Sequence, residues 1–327
     1  MAERWSPDHL RLHRLLRRRP TLLPAGATLL LAVSGGQDSM ALLALLQDLQ
    51  RLYGWTLQLW HGDHGLRPDS ARQAAELAAW VRARALPLSL DTWADPRPDE
   101  AAGRHWRYAR LVERATALGA SHVLTGHTAS DRAETLLLQL ARGSHRRGLA
   151  SLQWSRPLAA NLQLVRPLLA FSRDDTGRLC RQLALPVWLD ASNDSSDYSR
   201  NRIRREVLPV LEALHPGADR RLCALSERLA EEEQAIAELA ELALPSLQCG
   251  DGLKRRMLLA LAPANRRRLL HRWLEQGGVR GLGAEALETL LTHLEPERGP
   301  GRRQLAGGLT LHWDRQRLWL TLRHQPP

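Results

Sequence analysis

The chain has 327 residues, 44% of them hydrophobic, and carries 46 basic against 35 acidic side chains for a formal net charge of +11. That length suits two domains better than one, and no apolar run approaches the ~18 residues that a membrane span needs. Three widely spaced cysteines, Cys180, Cys223 and Cys249, exclude a disulfide framework and a CxxC pair for zinc or redox chemistry, which fits a reducing, cytoplasmic setting. The basic excess favours a polyanionic partner, because each neutralised phosphate releases condensed counterions. An arginine-rich coding bias is the plainer alternative, since Lys254 is the only lysine.

At the N-terminus, Arg11, Arg14 and Arg17 to Arg19 invite comparison with a targeting peptide. Glu3 and Asp8 interrupt the run, no signal-like apolar region follows, and Pro20 ends what reads as a short amphipathic helix. Strand-like and helical runs then alternate. Thr28–Val33 is an expected strand and Ser39–Tyr53 a helix stopped at Gly54. Thr56–Trp60 is a second strand, and Ser70 with Gln73 has capping-box spacing for a helix to about Ala85. Leu88–Trp93, Glu100–Leu118 and His122–Thr125 continue the alternation, followed by a helix from about Asp131 to Arg142 and a fifth strand at Leu164–Leu168. Connections of this length imply parallel strands with right-handed crossovers, and ligands collect where strand C-terminal ends meet helix N-termini. Past Pro216 helices dominate to Leu294. A Gly/Pro/Arg-rich break, Pro296–Gly301, precedes a hairpin formed by Leu309–Trp313 and Leu318–Leu322. The expected domains are 1–215, an α/β parallel-sheet, Rossmann-like domain, and 216–327, a smaller, mostly helical one ending in the β-hairpin.

The sharpest local signal is Ser34-Gly35-Gly36-Gln37-Asp38-Ser39, between a strand and a helix. Adjacent glycines let backbone N–H groups converge on an anion at a helix N-terminus. A bare carboxylate at Asp38 would repel a phosphate unless a magnesium ion bridged the two. The loop has no lysine, so it is not a Walker A loop. A plain Gly-Gly turn is the bland alternative. The motif resembles the PP-loop of the N-type ATP pyrophosphatases, which cleave ATP between its α- and β-phosphates. The resemblance implies that Ser34, Gly35, Gly36, Gln37, Asp38 and Ser39 bind the pyrophosphate end of ATP, with Asp38 on Mg2+.

Four further segments narrow the superfamily. His61-Gly62-Asp63-His64-Gly65-Leu66-Arg67 is similar to the HxNHGLR segment of tRNA(Ile)-lysidine synthases, with Asp63 where asparagine is usual. Arg104-His105-Trp106-Arg107-Tyr108 resembles an R-Y segment of that family, and Gly126-His127 through Asp131-Arg132-Ala133-Glu134-Thr135 its A-H-x-x-x-D-x-A-E-T motif. Asp190-Ala191-Ser192-Asn193 and Tyr198-Ser199-Arg200-Asn201-Arg202-Ile203-Arg204 resemble its D-x-S-N and RN-x-I-R segments. The matched blocks run over residues 28–210 in the family's order. From the residues alone, His64 is as readily a structural hydrogen bonder, and the Arg104–Tyr108 stretch a solvated basic face. Asp131 and Glu134 share one helical face, where they could be dipole partners. Arg200, Arg202 and Arg204 could equally be a generic RNA-backbone patch.

The resemblance implies an ATP-dependent enzyme that adenylates the wobble cytidine of tRNA(Ile) with a CAU anticodon, after which L-lysine attacks to form lysidine. Asp38, Arg107, Asp131 and Glu134 would be catalytic. His64, His127, Arg200, Arg202 and Arg204 would contact substrate or nucleotide. Asp131 and Glu134 would position the lysine, and Arg107 would meet its carboxylate or the developing charge. Thr128 and Ser130 stand where some members have His and Asp, and are not assigned catalysis. A PP-loop tRNA thiolase, or a non-catalytic RNA-binding protein, is the alternative. A thiolase would need cysteines near the site to carry sulfur. No membrane partner is expected, and the oligomeric state is left open, a homodimer among the options.

Overall fold

The computed structural model describes residues 5–66, 68–97, 99–188 and 199–322. Arg67, the segment Asp190–Asn193 and Tyr198, all part of the motif matches above, lie outside the described residues. The chain divides into two compact units, Met1–Ala230 and Glu231–Pro327. The division falls inside a 30-residue helix rather than at 215/216, because that helix is continuous across the place where the composition changes.

The first unit begins with α1 (Pro7–Arg18), β1 (Thr28–Ala32), α2 (Gln37–Tyr53), β2 (Thr56–Asp63), α3 (Ser70–Arg82), β3 (Leu88–Thr92), α4 (Glu100–Ala117), β4 (His122–Leu124) and α5 (Ala129–Ala141). It continues with α6 (Arg146–Leu149), β5 (Ser155–Ala159), β6 (Leu162–Val165), a 3-10 turn at Pro167–Ala170, α7 (Arg173–Gln182), α8 (Ser199–Arg202) and a π-helical turn at Ile203–Val207. Then come α9 (Leu208–Leu214) and α10 (Ala218–Leu247), which crosses the division. The strands form one sheet in the order β3-β2-β1-β4-β6-β5. All pairs are parallel except β5 with β6, an antiparallel edge that the alternation pattern does not reveal. The fifth parallel strand ends at Val165, three residues short of the expected Leu168, because Arg166-Pro167 turns the chain into the 3-10 segment.

Alternation along β1 puts Leu29 and Leu31 into the core under α1, α2 and α7, while Leu30 faces the other layer with Trp60, Leu111, Val123 and Leu164. A continuous apolar run therefore signals a strand buried on both faces. α1 is part of this core: Leu12 and Leu16 are buried, and the buried His9 bonds Asp48 at 2.8 Å.

The second unit adds β7 (Gln248–Cys249), β8 (Gly252–Lys254), α11 (Arg255–Leu259), α12 (Pro263–Gln276), α13 (Ala284–His293), β9 (Gly301–Gln304), β10 (Leu309–Trp313) and β11 (Arg317–Leu322). The expected hairpin β10–β11 sits inside a five-stranded antiparallel sheet, β7-β8-β11-β10-β9. Leu253, Leu270, Trp273, Leu290, Leu311 and Leu318 form its core. Buried Arg255 donates to the carbonyls of Leu294, Glu295, Arg298 and Asp314 at 2.6–2.9 Å, which holds the Gly/Pro-rich break in place. No helix among the described residues is long and apolar enough to cross a membrane.

Candidate active site

The loop Ser34–Ser39, the His61–Leu66 segment and the Gly126–Thr135 segment lie at the carboxyl ends of β1, β2 and β4 or at the start of a following helix, the side of a parallel sheet where ligands gather, whereas Arg107 lies inside α4 and Arg200–Arg204 on α8 and the π-helical turn. β1 ends into Ser34–Gly36, and Gly36 is the N-cap of α2. The helix starts two residues earlier than its apolar pattern suggests, so Asp38 and Ser39 belong to its first turn. Gly35 needs to be glycine, for its φ is +83° and a Cβ there would stand 3.1 Å from the Trp188 ring. The loop is braced by its own hydroxyls. Ser34 Oγ accepts from the Gly36 amide at 3.2 Å, and Ser39 Oγ donates to the Gly36 carbonyl at 2.8 Å.

Two loop side chains are engaged within the protein. Gln37 donates through Nε2 to the Arg173 carbonyl at 2.7 Å and to Thr176 Oγ1 at 2.9 Å, fixing α2 against α7. Ser39 is buried, its hydroxyl spent inside the loop. The resemblance assigned both to ATP; in the structure the Gln37 and Ser39 side chains hold the loop's shape, and Ser34 is the exposed hydroxyl of the loop.

Asp38 accepts from the Thr176 hydroxyl at 2.5 Å and lies 3.5 Å from Arg173 Nη1. Burial raises its pKa above the ordinary carboxylate range, helped by the Asp131 charge, against the lowering influence of Thr176 and Arg173. A buried carboxylate so placed gains from a further cation. Among the described residues no three His, Cys, Asp or Glu side chains converge to hold a metal, so an ion at Asp38 would take its remaining oxygens from phosphate and water.

β4 leads to the second cluster. Gly126 permits it, since a Cβ there would come within 3.0 Å of the Asp38 backbone. Thr128 caps α5 in a reciprocal box with Asp131: the Thr128 amide and hydroxyl donate to Asp131 Oδ2 at 2.7 and 3.0 Å. Ser130 Oγ accepts from the Arg173 amide at 3.2 Å. Thr128 and Ser130 are thus cap and tie. Asp131 Oδ1 faces Arg200 Nη2 at 3.2 Å. Burial acts to raise its pKa, but His127, Arg200, the Thr128 amide and Arg204 together bring it below the ordinary value.

Glu134, only 1% exposed, is gripped by two arginines: Arg200 Nε reaches Oε2 at 2.8 Å, and Arg204 Nε reaches Oε1 at 2.6 Å. The expected faces of α5 and the RN-x-I-R segment therefore meet. They meet as ion pairs, in which each Glu134 oxygen accepts from a guanidinium. Arg202 points elsewhere, to Glu206 at 2.9 Å on the exposed side. His127 bonds Thr125 Oγ1 through Nδ1 at 2.8 Å, and burial pushes its pKa down to about 3.

Arg107 lies on α4 beside Tyr108. Burial pulls its pKa down, and its Nε is shut from solvent without a hydrogen-bond partner. At the end of β2, His64 packs edge-on against Trp106 and Trp93, ring centroids 4.9 and 5.9 Å apart. Asp63 Oδ1 accepts from the Gly65 amide at 2.8 Å, a turn that an asparagine oxygen would close equally well.

Residues that were assigned no role from the sequence complete the site. Thr176 and Arg173 on α7 hold Asp38, and buried His61 ties β2 to the Val33 carbonyl at 2.7 Å, just ahead of the loop. His61 opens the HxNHGLR-like segment, and that match was its signal in the sequence. Cys180 donates to the Gln37 carbonyl at 3.3 Å, close behind the loop, but burial pushes its thiol up to about 11, so it stays protonated.

Comparison with known proteins adds three findings. Residues 10–211 match a PP-loop domain and residues 253–319 a TilS substrate binding domain. The chain is 52% identical to the tRNA(Ile)-lysidine synthase of Parasynechococcus marenigrum, covering 100% of this chain and 97% of that protein. It is 41% identical to a tRNA(Ile)-lysidine synthase of Prochlorococcus marinus, over 97% and 96% of the two chains. Among solved structures, the U34-tRNA thiolase NcsA from Methanococcus maripaludis, determined with its [4Fe-4S] cluster, superposes with a TM-score of 0.57. That match has 17% identity and covers 68% of this chain and 80% of that one, a likeness of fold alone.

Proposed function

The chain belongs to the tRNA(Ile)-lysidine synthase family, and on that premise we propose how its residues divide a two-step reaction. It is an ATP-using ligase that forms a carbon–nitrogen bond on a transfer RNA. In the first step the C2 oxygen of the wobble cytidine of tRNA(Ile)(CAU) attacks the α-phosphate of ATP and pyrophosphate leaves. In the second, a lysine amine attacks C2, AMP departs, and lysidine remains.

The observation that carries this reading is the convergence of two anion-and-cation clusters at neighbouring strand ends, Ser34–Asp38 after β1 and His127–Glu134 after β4, brought together by Gly126. The loop amides and the N-terminus of α2 receive the departing pyrophosphate. Asp38 would hold magnesium, which when bound neutralises phosphate charge. Arg200, 32% exposed on its side chain, is poised to meet charge developing on the nucleotide while Glu134 fixes its direction. Asp131 and Glu134, on one face of α5, would supply the negative charge that positions the lysine ammonium, with Arg200 and Arg204 fixing both carboxylates. His127, neutral at working pH, orients substrate rather than carrying a charge.

The +11 charge supports a transfer RNA partner, and a transfer RNA substrate supports a cytoplasmic setting. A homodimer is compatible with the reading. Sulfur transfer is disfavoured by the protonated, buried Cys180 and Cys223. The test is mass spectrometry of a tRNA(Ile)(CAU) transcript after incubation with enzyme, ATP and lysine. A gain of lysine minus water at the wobble cytidine is expected, and an unmodified cytidine despite pyrophosphate release would refute the second step.

A further inference from the structure

The phosphate loop contains no lysine, and Lys254, the single one in the chain, belongs to the other unit. A side-chain cation for the phosphates would have to come from another element. Arg173 and Arg204 both act on the Asp38 charge. Arg204 is committed elsewhere, with its Nε 2.6 Å from Glu134 Oε1. Arg173 is held differently. Its amide donates to Ser130 Oγ at 3.2 Å, and its carbonyl accepts from Gln37 Nε2 at 2.7 Å and from Thr176 Oγ1 at 2.9 Å. Gly177 lets α7 lie so close to the loop that a Cβ there would stand 3.0 Å from Gln37 Oε1. The backbone of Arg173 is therefore clamped to both motif clusters of the site. Its guanidinium is loose by comparison: the side chain is 41% exposed, and Nη1 lies 3.5 Å from Asp38 Oδ2. An exposed pair of that length holds weakly.

We propose that Arg173 is a catalytic residue of the first step, the guanidinium that binds the pyrophosphate end of ATP from the α7 side of the loop. The inference deepens the reading of Ser34–Ser39 as the ATP site and rests on it. Asp38 lies in the first turn of α2, so a cation beside its carboxylate stands beside the helix N-terminus that receives the anion. Pyrophosphate offers more charge than a carboxylate and a pair of oxygens for the planar fork of the guanidinium. Only the head of the side chain has to turn, from a carboxylate oxygen to phosphate oxygens. As the bond from the α-phosphorus to the bridging oxygen breaks, the electron pair stays on pyrophosphate, and the guanidinium meets the charge that it gains.

The position supports this use. Arg173 is the first residue of α7, where the helix dipole opposes a cation. Asp174 and Asp175 in the same turn suit that dipole; the arginine does not, and helix stability gives no reason for it.

The test is titration calorimetry of the full chain with sodium pyrophosphate, ATP and AMP in magnesium buffer, alongside ATP–pyrophosphate exchange in the presence of tRNA(Ile)(CAU). Arg173→Gln should weaken pyrophosphate and ATP roughly 10- to 100-fold, the loss of a charge-assisted pair, leave AMP affinity unchanged, and slow exchange. Arg173→Lys keeps the charge without the fork and should fall between; it carries the test should Arg173→Gln melt early. Arg181→Gln removes the same charge from an exposed position on α7 and should bind pyrophosphate as the parent does. In an Asp38→Asn background, Arg173→Gln should still weaken pyrophosphate. Disappearance of its effect there would show that Arg173 acts only through Asp38 and would overturn the proposal. Weaker tRNA binding at unaltered pyrophosphate affinity would overturn it too, in favour of an RNA phosphate contact. An unaltered chain that bound neither pyrophosphate nor ATP would instead remove the reading of the loop, and the role of Arg173 with it.

Discussion

The Thr176 hydroxyl donates to Asp38 Oδ1 at 2.5 Å, so a residue 138 positions further along the chain sets the carboxylate of the phosphate loop. Thr176 is 1% exposed and also receives Gln37 Nε2. One turn of α7 thereby fixes the position of Asp38 and, through Thr176 and Arg173, opposes the rise in its pKa that burial causes. The loop is a product of two helices, only one of which adjoins it in sequence.

Asp38→Asn should separate stability from activity. The folded pKa of Asp38 is raised, so stability falls as pH rises from about 3.8 through the folded value, and the ionised group costs the free protein stability at neutral pH. Thermal melts should show the variant more stable than the parent at pH 7, with the gap closing toward pH 4. ATP–pyrophosphate exchange should fall by roughly 100-fold or more. Near-normal exchange would remove Asp38 from the chemistry.

Glu134→Gln should cost about 3 kcal/mol in urea unfolding, because two guanidiniums lose their shared buried counter-charge. Arg204→Gln in the same background should cost less than it does alone. Additive losses would show that the pairs seen here do not share energy.

His127 should not titrate between pH 5 and 8. Its folded pKa of about 3 lies below the ordinary value of about 6.5, so the unfolded chain takes up the proton first, and stability falls as pH drops through that window. His127→Gln should reduce the slope of unfolding free energy in that range by up to about 1.4 kcal/mol per pH unit. Imidazole chemical shifts that moved near pH 6.5 would contradict the buried neutral form.

Cys180→Ala should retain activity within about 3-fold, and iodoacetamide at pH 8 should label partly exposed Cys249 before Cys180. Loss of modification in the variant at unchanged stability would revive sulfur chemistry.

Gly126→Ala should destabilise the protein by about 1–3 kcal/mol and impair pyrophosphate exchange, since its methyl group meets the Asp38 backbone at 3.0 Å. Unchanged melting and exchange would show that the strand end can yield without moving the loop.

Local chemistry made much of this molecule legible. The Thr28–Ala32 run, the glycine turn and the helix after it follow from propensities that act over a few residues, as does each strand–helix alternation up to β4. The departures came where distant segments met. Edge strand β5 and strands β7, β8 and β9 are too short or too polar to announce themselves, and exist because a neighbouring strand supplies hydrogen bonds. Gln37, Asp131, Glu134, Arg200 and Arg204 were visible as residues, but which of them pair, and with what on α7, was not, since pairing depends on chain segments tens of residues away. An arginine carries the same symbol whether acids, carbonyls or a tyrosine and further arginines surround it. Arg204, Arg255 and Arg166 differ only in their folded surroundings, because the cost of burying a charge is set by what is packed around it.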